Sequence, residues 1–344
     1  MEISPAPDPG GVTTFCAMDL ALSPSVPGLG VVELADLCRF AEELGYRQAW
    51  LAEVAGPDAF VLATAAAQRT ENMEFGVAVV PAYTRSPATL AMAAASVSQA
   101  LSGRSFTLGI GSSSETIVSA WHGLEFDRPV TRVVETVQAV RSGLTGDGAF
   151  SGATVAMSRF RLATLPSGPI PIFIGALRPG MLAAAGAHAD GVCLNLMPPR
   201  VVIRQIEAVH DGAAAAGRTL PPDFGVMARL QTMVTDEVDL AHQFLREQIL
   251  GPYLAQPVYN DFLTWMGYPE EAAAIASGWL ARDRKRVATA IHSRIIDDLA
   301  LVGSAPLVRD RLEEFAAAGV TVAALMVLAS SRATVEETLR VLAP

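Results

Sequence analysis

Two glycine-bearing turns carry the plainest chemistry in this chain. Leu108-Gly109-Ile110-Gly111-Ser112-Ser113-Ser114-Glu115 joins two glycines to a run of hydroxyls. Glycines let a backbone approach a ligand closely, and hydroxyls with free N–H groups bind oxygen atoms. The stretch matches half of a dinucleotide fingerprint, with Ser114 where the third glycine belongs; a plain tight turn reads equally well. The second turn, Gly175-Ala176-Leu177-Arg178-Pro179-Gly180, opens a helix expected over Met181 to Ala187. A helix N-terminus offers unpaired N–H groups and a partial positive charge, to which Arg178 adds a full one, and that combination suits a phosphate. The alternative is a capped helix beside a solvated arginine.

Three further residues qualify. Glu53 and Asn195 each end a short apolar run, so a carboxylate and an amide could converge on a polar heterocycle; either could equally be a helix cap. His122, in Trp121-His122-Gly123, could act as acid or base, or simply pack beside the tryptophan. The five histidines are scattered without metal-ligand spacing, and neither a nucleophile elbow nor a phosphate-binding Walker loop is present.

The elements that must position these residues repeat one unit: an amphipathic helix, a glycine, then a short apolar strand. Leu34, Leu37, Cys38, Ala41 and Leu44 share a helix face, Gly45 ends that helix, and Ala49 to Glu53 follows as a strand. Val308, Leu312, Phe315 and Ala316, with Gly319 and the strand Val322 to Leu328, repeat the pattern. Further strands are expected at Phe75 to Val80, Phe106 to Ile110, Pro171 to Gly175, Gly191 to Asn195 and Phe224 to Met233, with a weaker first strand at Thr13 to Met18. These are mostly continuous apolar runs, as parallel strands covered on both faces require. Eight such strands alternating with helices predict an α/β fold, a (β/α)8 TIM barrel, with a doubly wound open sheet as the alternative. In a barrel, strand C-termini form the active mouth, so all the residues above belong at one end.

Residues 12–344 read as one domain after a flexible, Pro- and Gly-rich start at 1–11. Gly143 to Gly168 shows no clear helix. The segment 251–304 reads as a long insertion before the last strand, carrying Tyr253, Tyr259, Phe262, Trp265, Tyr268 and Trp279; it covers the mouth or packs as a helical subdomain. Hydrophobic residues make up 51% of the 344 and charged residues 17%, enough apolar surface for a large core. A net charge of −10 argues against a nucleic-acid partner. The run Val320 to Ala329 is too short to span a bilayer. Cys16, Cys38 and Cys193 lack CxxC spacing, and with no secretory signal in evidence this fits a reduced, cytoplasmic protein.

Taken in order, several segments resemble the luciferase-like monooxygenase superfamily and, within it, the deazaflavin (coenzyme F420)-dependent oxidoreductases. They are Trp50 to Phe60, Val79 to Pro87, Leu101 to Arg104, Leu108 to Ser113, Trp121 to Gly123 with Arg128-Pro129, Pro171 to Ala176, and Ala189 to Val192. The resemblance implies a TIM barrel that transfers a hydride between F420 and a small or mid-sized organic substrate, and commonly a homodimer. It places Glu53 against the cofactor ring or its side chain, and Ala78 and Val79 in a backbone bulge behind the ring, at a cis peptide. It sets Ser112 and Ser113 along the ribityl chain, with Gly111 also at the cofactor, and Gly175, Ala176, Leu177 and Arg178 on the phosphate with Asn195 beside them. Glu53 and His122 are the catalytic candidates. Val54 stands where several relatives have histidine, Ser114 where some have glutamate, and Arg200 is the nearest base where some carry a lysine. The cofactor site therefore carries over better than the catalytic one. The competing readings are an FMN-dependent luciferase-like monooxygenase and a barrel that binds a cofactor or partner without turnover.

Overall fold

The computed structural model describes residues 18–344. Eleven strands follow in chain order: β1 (Asp19–Leu22), β2 (Gln48–Leu51), β3 (Glu74–Pro81), β4 (Phe106–Gly111), β5 (Phe150–Ser151), β6 (Ala156–Met157), β7 (Ile172–Gly175), β8 (Gly191–Asn195), β9 (Gly225–Val234), β10 (Ala300–Gly303) and β11 (Val322–Val327). Eight of them close into a ring of parallel pairs, β1-β2-β3-β4-β7-β8-β9-β11, with β11 returning to β1. This is the closed barrel expected, and the open sheet is excluded.

Three details differ from the sequence reading. The first barrel strand is Asp19–Leu22 rather than Thr13 to Met18, and residues 13–17 lie outside those described, as does the expected flexible start. β10 was not anticipated: its four residues lay inside the stretch read as insertion, yet they pair with Gln231 to Val234 beyond the end of β8. The stretch after Gly143 continues the helix Pro129–Thr145 and then forms the antiparallel hairpin β5–β6.

Inside the barrel, Ala21, Trp50, Phe173, Cys193, Met227, Val322 and Ala324 form one apolar plug. A far larger cluster lies between strands and helices, where every second strand residue (Leu22, Leu51, Val77, Leu108, Ile110, Ala228, Leu230) meets helical side chains. Polar residues close the plug at the N-terminal end: Trp50 Nε1 donates to Gln48 Oε1 at 2.9 Å, and Gln48 Nε2 donates to Asp19 Oδ2 at 3.2 Å. The interior is thus filled from one end, and a ligand can enter only from the strand C-termini. Between β9 and β10 the chain is helical, including Val238–Phe244, Pro257–Met266, Pro269–Leu280 and Arg284–Ala290.

Candidate functional site

All strand pairs of the barrel are parallel, so Glu53, Ser112, Gly175 and Asn195 share one mouth. Its floor is made by β3. Pairing with β4 steps from Val77↔Leu108 to Val80↔Ile110, so β3 carries one extra residue, a bulge, at Ala78 and Val79. The peptide between them is cis, as the resemblance implied. Both residues are partly exposed and pack on the interior plug. The glycines of β4 and β7 make room for this bulge. A Cβ at Gly109 would lie 2.1 Å from the Val77 carbonyl oxygen. One at Gly111 would lie 2.5 Å, and one at Gly175 3.0 Å, from the Val79 methyls. What the sequence suggested as room for a ligand is therefore occupied first by a neighbouring strand.

Beyond β4 the chain turns sharply: Ser113 has φ 61°, and Ser112 Oγ donates to the Ser113 carbonyl at 3.2 Å. Beyond β7, Pro179 and Gly180 open the helix Pro179–His188, whose Met181 and Leu182 N–H groups are already bonded to the Arg178 carbonyl. Nothing lies within 4 Å of a Cβ placed on Gly180, so this helix end faces open space. Arg178 is exposed and its Nη1 lies 3.0 Å from Asp261 Oδ2, on the helix Pro257–Met266.

Glu53 lies two residues past the end of β2 and is committed to an arginine that the sequence reading passed over. Arg85 Nε and Nη2 donate to its two carboxylate oxygens at 2.8 Å each. Arg85 also bonds Asp58 and sits 4.9 Å over the Phe60 ring. Asp58 in turn caps the helix Ala59–Ala67 by accepting from the Phe60 and Val61 N–H groups. Partial burial alone would raise the Asp58 carboxyl; the Val61 N–H and Arg85 outweigh it and hold it below its usual value. The Arg85 guanidinium is raised, chiefly by its hydrogen bond to Glu53. Glu53 thereby presents both carboxylate oxygens as acceptors.

The opposite wall carries a polar network. Asn195 Oδ1 accepts from Gln231 Nε2 at 2.9 Å, and Asn195 Nδ2 lies 3.5 Å from the Tyr259 hydroxyl, at the long limit for a hydrogen bond. Gln231 is 5% exposed, and its Oε1 has no partner among the described residues. Tyr253 stands edge-on to Tyr259, with ring centroids 5.2 Å apart. Burial pushes the Tyr259 phenol up to about 12, so it holds its proton at neutral pH. Arg229, opposite Asn195 in the β8–β9 register, donates from Nε to Ser23 Oγ at 3.3 Å.

The sequence reading missed Arg85, Gln231 and Arg229, and named Tyr259 only among the aromatic residues of 251–304. A signal for two of them was present: Arg229 and Gln231 follow Met227 at period two in a largely apolar strand, which puts them on the interior face. His122 is not brought into the mouth with the others. It is exposed, follows the π-helical turn Thr116–Trp121, and has no side-chain hydrogen bond among the described residues. Among those residues no three His, Cys, Asp or Glu side chains cluster as metal ligands, and no helix is long and apolar enough to cross a membrane.

A family model for luciferase-like monooxygenases matches residues 12–322. A Mycobacterium tuberculosis protein assigned as a coenzyme F420-dependent oxidoreductase is 28% identical over 310 residues, covering 83% of this chain and 88% of its own. The 5,10-methylenetetrahydromethanopterin reductase of Methanolobus tindarius is 26% identical over 303 residues, covering 86% and 90%. The structure of the coenzyme F420-dependent tetrahydromethanopterin reductase from Methanopyrus kandleri superposes with a TM-score of 0.79 at 21% identity, covering 95% of this chain and 97% of that one.

Proposed function

The chain belongs to the luciferase-like monooxygenase family, and from that premise we propose that it is a coenzyme F420-dependent oxidoreductase acting on a small organic molecule. The observation that carries this reading is the similarity, over more than four fifths of the chain, to an assigned F420-dependent oxidoreductase and a methylenetetrahydromethanopterin reductase. When bound, F420 supplies a ring carbon that gives or takes a hydride.

The mouth fits such a group. Ala78 and Val79 offer a partly exposed apolar floor for a flat ring, backed by Gly109, Gly111 and Gly175. Gly111, Ser112 and Ser113 are assigned the ribityl chain. Gly175, Ala176, Leu177 and Arg178 are assigned the phosphate, supported by the open helix end at Gly180. Asn195, oriented by Gln231, offers its Nδ2 beside them. Glu53, pinned by Arg85, is assigned an acceptor role toward the ring or its side chain. We also take the protein to be a cytoplasmic homodimer. The buried free thiols Cys38 and Cys193 support the first, and exposed apolar side chains such as Leu240 and Leu280 support the second.

The test is parallel titration of the purified protein with oxidised F420 and with FMN, read by fluorescence quenching. F420 is expected to bind at least about tenfold more tightly, the equivalent of about 1.4 kcal/mol. Comparable or tighter FMN binding overturns the reading in favour of an FMN-dependent monooxygenase.

A further inference from the structure

We propose that Arg229 and Ser23 form the seat for a substrate carboxylate inside the barrel mouth, so that the organic substrate is an acid. This rests on the F420 reading for the reaction, though not for the binding. Four observations carry it.

Arg229 belongs to the interior face of β9, in step with Met227 below it and Gln231 above it. It is partly buried, and among the described residues it pairs with no carboxylate. Three arginines at the same end do have one: Arg85 lies on Glu53 and Asp58, Arg178 on Asp261, and Arg200 on Asp298. A guanidinium drawn out of bulk water loses hydration that a lone serine oxygen at 3.3 Å does not replace. An incoming carboxylate would replace it, with two oxygens matched to the guanidinium fork.

Two donors stand beside Arg229. Ser23 Oγ is buried at the end of β1, and the Tyr259 phenol keeps its proton. Glu53, the carboxylate after β2, is occupied by Arg85. The seat also lies on β9 and β1, whereas the turn assigned to the cofactor phosphate follows β7. The cofactor phosphate therefore has its own cationic helix end and does not need Arg229.

The test uses matched probes, benzoate against benzamide and pyruvate against pyruvamide, titrated calorimetrically into cofactor-free and F420-loaded protein. An acid is expected to bind more tightly than its amide by about ten- to a hundredfold, the range of a charge-assisted bond. Arg229→Gln should erase that preference while leaving F420 affinity within about twofold, and Arg229→Lys should retain part of it. If Arg229→Gln fails to fold by circular dichroism, Ser23→Ala serves instead and should lower the preference by about fivefold. The proposal is overturned if no acid is preferred over its amide. It is also overturned if Arg229→Gln lowers F420 affinity tenfold, which would give the guanidinium to the cofactor. Failure of F420 to bind, with the acid preference intact, counts against the proposed function alone.

Discussion

Replacing Asp261 by asparagine should tighten cofactor binding, although Asp261 lies on the helix Pro257–Met266, between β9 and β10. Arg178 Nη1 sits 3.0 Å from Asp261 Oδ2, with the two side chains 44% and 58% exposed. An ion pair this exposed contributes about 0–1 kcal/mol, so little is lost by breaking it. A phosphate at the Gly175–Arg178 turn would bring anionic oxygens to within about 6 Å of that carboxylate. At the dielectric of water, like charges at that distance repel by about 0.7 kcal/mol. Asp261→Asn removes the repulsion and frees Arg178, so F420 should bind about three- to fivefold more tightly. Arg178→Ala should weaken binding by about tenfold, the low end for a charge-assisted bond because the site is exposed. In the Arg178→Ala background, Asp261→Asn should have a smaller effect than in the wild type, and that non-additivity is the signature of a shared contact. Fluorescence quenching of F420 at low and physiological salt reads all four affinities, and the differences should shrink with salt. Weaker binding by Asp261→Asn, or unchanged binding by Arg178→Ala, would assign Arg178 to Asp261 alone and refute the phosphate role.

Three other outcomes follow from the geometry. Ala78→Leu should abolish F420 binding with the fold retained by circular dichroism, because the added isobutyl group occupies the partly exposed bulge at the floor; retained affinity would mean the ring does not lie there. Gly109→Ala should destabilise more than Gly111→Ala in urea titrations. Its Cβ meets a backbone oxygen at 2.1 Å, which cannot turn away, whereas the other meets a Val79 methyl at 2.5 Å; overpacking of this kind costs about 1–3 kcal/mol, and equal losses would contradict the close approach of β3. Burial raises the Tyr259 phenol from 10.0 to about 12, so the folded state holds a proton that the unfolded chain releases. The stability this contributes is full below pH 10 and lost as the pH rises toward 12; Tyr259→Phe should flatten that decline in denaturant titrations, and an unchanged pH dependence would show the phenol to be solvated.

The fold was legible because its signal is repeated. Each apolar run beside a helix is a weak indication alone, and eight in succession favoured a closed barrel over the open sheet, which the ring of pairs then excluded. β10 escaped because a four-residue strand, Ala300–Gly303, has too little periodicity to stand out beside the helices before it. The bulge at Ala78 and Val79 was reached through resemblance, since nothing in Phe75 to Pro81 distinguishes a bulged strand from a straight one. Glu53 was placed at the correct mouth, yet its partner Arg85 stands 32 residues away and is joined to it only by the fold. Long-range pairs of this kind, with Tyr259 on Asn195 and Asp261 on Arg178, have no local sequence signature.

Those last two pairs share one element. The helix Pro257–Met266 sends Tyr259 toward Asn195 at the end of β8 and Asp261 toward Arg178 after β7. Gln256, its capping residue, accepts from the Thr116 hydroxyl after β4 at 2.9 Å. Each contact is weak: one is long, one joins exposed charges, and one joins neutral groups at the surface. They therefore do not hold the helix. Phe262, Leu263 and Met266 do, each at most 4% exposed within the large cluster between strands and helices. Fully burying side chains of that size stabilises by about 1.5–3 kcal/mol each, more than all three polar contacts together. The division has a functional consequence. The apolar face fixes where the helix lies, and the polar face is free to vary in what it presents to the mouth. Variation at Gln256, Tyr259 and Asp261 can then retune what the mouth accepts while the barrel and the bulge beneath it stay as they are.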